Sequence, residues 1–122
     1  MKKYYLILAM ILSLGSYSIA ATAGPVEPAI SEIETVESIM ARTSGYNAIF
    51  LDGTVPDQGC THTNPSLGII VGTDTQLMEL ATAAVVNENP VALKVDGCSL
   101  VNAGTTLTAP RVVRVHLFPQ NL

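Results

Sequence analysis

The chain has 122 residues, 48% hydrophobic and only 13% charged, with ten acidic and six basic side chains and a formal charge of −4. That length suits a single domain. So few cations cannot neutralise a run of phosphates or an anionic lipid surface, which excludes nucleic-acid and membrane-surface binding.

Lys2 and Lys3 precede an apolar run over residues 4–14, and small-residue sites end at Ala20 and Ala23. This is the layout of a secretory signal peptide, and the run is shorter than a bilayer span. Cleavage is expected after Ala20 or Ala23. The product would be secreted or periplasmic, with no membrane segment. Loss of Lys2 and Lys3 leaves four basic residues against ten acids, a formal charge of −6. The domain plan is a signal peptide over 1–23, a flexible arm over 24–32 containing Pro25 and Pro28, and one folded domain over 33–122.

Residues 32–40 read two ways. Ile30, Ile33, Val36 and Met40 give a loose helical stripe, whereas the turn Thr43-Ser44-Gly45 and the β-rich 46–51 favour a strand and a hairpin. Residues 52–65 are a loop, marked by Asp52-Gly53, Pro56-Asp57, Gly59 and Asn64-Pro65. A loop of that length is where a binding surface is expected, with Asp52, Asp57 and His62 as its candidate residues.

Residues 67–71 form the next predicted strand, with Leu67, Ile69 and Val71 on one face and Gly68, Ile70 and Gly72 on the other. A capping box of Thr73 and Gln76, with Asp74 in the first turn, predicts a helix from Thr75 to about Asn87. Leu77, Leu80, Ala81 and Ala84 form its apolar face. Ala83 and Val86 are left facing outward, which is compatible with a homo-oligomer. Residues 91–95 alternate as a strand ending at Gly97-Cys98, 105–109 are a short edge strand or loop, and 111–118 close the chain. In that last strand Val113, Val115 and Leu117 should face one way and Val112, Arg114, His116 and Phe118 the other.

Cys60 and Cys98 are the only cysteines. In an exported chain of this size they read as one disulfide, with free thiols the alternative. There is no CxxC and no histidine beside either cysteine at ligand spacing to support a metal site, and no cofactor is implied. Ser44, Ser66 and Ser99 lack a GxSxG context, and Gly68-x-x-x-Gly72 lacks the lysine of a phosphate loop. No catalytic residue is assigned; a small hydrolase using His62 with Asp57 is the enzymatic alternative.

The order strand, strand, strand, helix, strand, strand matches a mainly β fold with one helix. The expected architecture is a small five-stranded Greek-key barrel, OB-fold-like, with the helix between strands three and four. Gly45-Tyr46-Asn47-Ala48-Ile49-Phe50, Cys60, Val95-Asp96-Gly97-Cys98 and Arg114-Val115-His116-Leu117-Phe118 resemble a group of small exported bacterial proteins of unassigned function. That group is similar in layout to the cell-binding B subunits of AB-type toxins, which are OB-folds. The resemblance implies pentamers whose helices line a pore and whose loops or edges bind glycans; it supplies no glycan-contacting residue at any position here. The function expected is a non-enzymatic binding module with a glycan or protein ligand. The alternative is an inhibitor or accessory protein with one protein partner.

Overall fold

A computed structural model describes residues 26–120. The expected signal peptide, with its cleavage sites at Ala20 and Ala23, lies outside the described residues. The fold is mainly β: β1 (Ala29–Ile30), β2 (Val36–Met40), β3 (Tyr46–Leu51), β4 (Leu67–Val71), helix α1 (Thr75–Asn87), β5 (Val91–Leu100) and β6 (Thr108–Leu117). The sheet order is β1-β5-β6-β4-β3-β2. All neighbours are antiparallel except β4 and β6, which run parallel.

Three expectations need correction. There are six strands rather than five, the helix lies between the fourth and fifth, and the end strands β1 and β2 do not pair to close a barrel. The physical reason is that pairing begins inside the segment expected as an arm. Ala29–Ile30 pair with β5, and of the expected first strand only Val36–Met40 pair with β3. Between them Glu34 exchanges backbone hydrogen bonds with Val91, at 2.8 and 2.7 Å. Within the segment expected as a flexible arm, Ala29–Ile30 form a strand. Ser31 is buried there, its amide donating to the Leu93 carbonyl and its hydroxyl accepting from the Leu93 amide.

The main core lies between α1 and the inner sheet face. Ile49 and Leu51 of β3, Ile70 of β4, Val91, Leu93 and Val95 of β5, and Val112 and Val115 of β6 pack there with Ala81 and Ala84 of α1. Gly68 makes this packing possible, since a Cβ on it would stand 2.8 Å from a Val112 methyl. A second cluster, Ala48, Leu67, Ile69 and Ala109 with Tyr46, Phe50 and Val101 against it, covers the opposite face of β3 and β4. The end of the β5–β6 hairpin folds over that face. Arg42 pins it by donating to the Val101 carbonyl, and Ser44 by donating to Asn102 at 2.7 Å.

Strands β5 and β6 run further than their alternation suggested, because bulges interrupt it. Lys94 pairs with Arg114 but Val95 with Val112, which leaves Val113 as the extra residue. Val112 and Val115 therefore both point inward, while Val113 is exposed. On β5 the second irregularity contains Gly97, whose φ of +71° suits glycine.

The helix starts and ends at the expected residues but not by the expected means. Asp74 is its N-cap without a side-chain capping bond, so the Thr73–Gln76 box does not form. The Asp74 carboxylate turns instead to Arg111, 3.6 Å away. Leu80 is exposed, and Met78 packs on the core beside Leu77. Helix α1 ends at Glu88 in the left-handed region, φ 54°, with the Asn89 amide donating to the Ala84 carbonyl at 3.0 Å.

Candidate binding cleft

The loop between β3 and β4 is short of apolar side chains and takes its shape from polar bonds. Its base is closed by the Leu51 amide on the Ser66 carbonyl at 3.0 Å and the Val55 amide on the Pro65 carbonyl at 2.8 Å. Three tight turns follow from the side chains themselves. Asp57 Oδ1 accepts from the Gly59 amide at 2.8 Å, His62 Nδ1 from the Asn64 amide at 3.1 Å, and Asn64 Oδ1 from the Ser66 amide at 2.9 Å. Such side-chain-to-backbone bonds replace the ladder that a strand would have provided.

Several ties hold the loop to the sheet. The Cys60–Cys98 disulfide, with Cα atoms 5.8 Å apart, joins it to the bulged part of β5. Beside it, buried Gln58 donates to the Glu27 carbonyl at 3.0 Å and accepts from the Gly97 amide at 2.9 Å. The His62 amide also reaches the Thr108 carbonyl of β6 at 2.8 Å.

These ties leave a cleft of about 260 Å³ between loop and sheet. Val55, Leu67, Pro65 and Pro110 give it apolar walls, and Asp57, His62, Thr63 and Asn64 give it polar ones. The structure therefore brings together two of the three candidate residues. Asp52 stands apart, its carboxylate accepting from the Thr35 amide at 3.2 Å and from the Thr35 hydroxyl at 2.6 Å. Asn64 and Pro110 are cleft residues that sequence reasoning missed. Asn64-Pro65 was legible as a turn, but nothing near Pro110 signals that β6 passes this loop.

The available atoms are mixed in sense. Because His62 Nδ1 accepts, its neutral ring carries the proton on Nε2 and is a donor there. The Asn64 amide nitrogen is a second donor, and Asp57 Oδ2 is an acceptor. Among the described residues there is no group of three or more His, Cys, Asp and Glu that could hold a metal. A larger cleft of about 530 Å³ lies between β2 and the end of α1, where Glu37 and Glu88 stand beside Val36, Ala84 and Val85.

No protein-family model matches the chain, and no curated protein or solved structure is detectably similar to it. What the cleft can do has to be read from its own chemistry.

Proposed function

We propose that the mature chain is an exported, non-enzymatic binding module that takes a small, neutral, polar ligand, a saccharide by preference, in the cleft beneath residues 55–65. The observation that carries this reading is the use made of Asp57 and His62. The atoms that a hydrolytic pair would direct at each other or at a water, Asp57 Oδ1 and His62 Nδ1, are engaged in the loop's own turns. What remains outward is one acceptor and two donors beside an apolar surface, the pattern that a hydroxyl-rich ring satisfies. Export to the periplasm or medium is supported by the disulfide, which persists in oxidising compartments.

The same reading takes the sheet as an OB-like Greek-key barrel with one gap. Support comes from residues 29–40, which touch β5 at one end and β3 at the other and bridge Val91 at Glu34, as two halves of one interrupted strand would. Assembly into a homo-oligomer through α1 belongs to this reading too. Val86, 73% exposed, lies on a largely apolar helix surface with Met78 and Ala83. Val86→Glu is expected to dissociate the assembly and leave the fold intact; a wild-type monomer at high micromolar concentration would contradict it.

A glycan array probed with the oxidised mature protein tests the binding reading. A saccharide hit should weaken about tenfold in His62→Ala and in Asn64→Ala, since each loses a hydrogen bond to the ligand. Circular dichroism should show both variants folded. Absence of any saccharide hit, or hydrolysis of a glycoside or ester that disappears in His62→Ala, would overturn it.

A further inference from the structure

The described residues contain four basic side chains, and two are committed to the fold. Arg42 donates to the carbonyls of Tyr46 and Val101, and Arg111 pairs with Asp74. The other two, Lys94 and Arg114, are direct register partners on β5 and β6. Their side chains share one face of the sheet, with Cβ atoms about 5 Å apart. The one ion pair among the described residues is Arg111–Asp74, so neither has a carboxylate partner there. Glu32, exposed on the adjoining segment, pairs with neither. Like charges set directly opposite each other repel. An acidic chain that nonetheless faces two cations together breaks a local rule, and such breaks concentrate at functional places.

The surroundings fit one kind of ligand. His116 follows Arg114 by two residues on the same face, about 7 Å along the strand. Its ring stacks on Phe118 with centroids 4.3 Å apart and planes 4° from parallel, and His116 is exposed. Across Lys94 on β1 stands Ile30, 61% exposed. None of these residues lines either cleft described above. Small ligands need concave sites. A strand face that lines neither cleft and carries an arginine, aromatic rings and an exposed aliphatic side chain has the composition of a protein interface. The 7 Å step from Arg114 to His116 also equals the repeat of alternate side chains in an extended peptide, about two residues of strand rise.

We propose that the outer face of β1, β5 and β6 docks an extended acidic segment of a partner protein. A carboxylate sits between Lys94 and Arg114, and an apolar or aromatic side chain two residues away lies on His116. This surface uses no residue of the cleft, so it stands or falls independently of the saccharide reading.

The test uses ¹⁵N-labelled, oxidised mature protein and a capped octapeptide of Gly and Ser with Glu and Tyr two positions apart. Amide shifts should cluster at Ile30, Lys94, Arg114 and His116. Affinity should fall about tenfold in Arg114→Gln, and fall again on replacing the peptide's Glu by Lys, as expected for a charge-assisted bond. The melting temperature of Lys94→Gln/Arg114→Gln should be no lower than that of the wild type, because a repulsion is relieved; a purely structural role would lower it. The proposal is overturned by no shifts on this face at millimolar peptide or by equal binding of the Lys peptide. It is also overturned if the same shifts arise only from an acidic oligosaccharide or from a second copy of this chain.

Discussion

The sheet with its helix and the loop over 52–66 are built by different physics. In the first, Ile49, Ile70, Leu93 and Val112 are fully buried, and burial alone says which way each side chain points. In the second, only Val55 and Gln58 are buried, and the shape comes from three side-chain turns, two backbone ties at the base and one disulfide. The first region can lose a polar contact and keep its form. Of the second, only Val55 reaches the apolar core, so the form of the rest depends on each tie. The cleft belongs to the second, where a polar surface can be displayed without being spent on packing.

The contrast is broken most severely by a cavity in the first region. Leu93→Ala should cost about 3–4 kcal/mol, from lost transfer energy and a cavity that β5 and β6 cannot collapse around. Chemical denaturation will measure it, and the surviving folded protein should keep its disulfide. A loss under about 1 kcal/mol would mean that the core is loosely packed.

Replacing both cysteines by Ala comes next. The Cys60–Cys98 loop is long, and its removal should cost about 2–4 kcal/mol, mostly by freeing the unfolded chain. Far-ultraviolet circular dichroism should stay native, because the inner core contains neither cysteine. Loss of the β spectrum would show that the two regions are not separable.

The smallest effect concerns the helix end. Glu88 holds a left-handed conformation that costs a side chain roughly 1 kcal/mol. Glu88→Gly removes that cost, partly offset by the greater unfolded freedom of glycine, so a gain of a few tenths to about 1 kcal/mol is expected on thermal denaturation. A destabilised variant would mean that the Glu88 side chain contributes more than its backbone strain costs.

The same division explains what was legible in the sequence. Residues 46–51, 67–71 and 75–87 carry strand or helix periodicity, and their elements fall where that periodicity predicts. The disulfide was legible from two cysteines and an export layout. The short strand Ala29–Ile30 was not, because Ser31 and Glu34 bond across the sheet to Leu93 and Val91, and no local pattern announces those partners. Val113 and Gly97 were missed for a related reason: a bulge flips every later side chain in its strand, yet depends on pairing with a distant one. In the loop, Asp57 and His62 were recognisable as polar groups in a turn-rich stretch. Their shared wall with Pro110 depends on where β6 passes, which no spacing within the loop encodes. Asp52 lies apart from the cleft because Thr35, seventeen positions away, holds its carboxylate.

Native-state hydrogen exchange tests the separation of the two regions most directly, comparing the oxidised protein with Cys60→Ala/Cys98→Ala. The amides of Gly59 and His62, bonded to Asp57 and Thr108, should lose most of their protection in the variant. Those of Ile49, Ile70 and Leu93 should retain theirs, reduced only by the change in global stability. A uniform loss of protection across loop and sheet would contradict the account, since it would make the cleft part of one cooperative core.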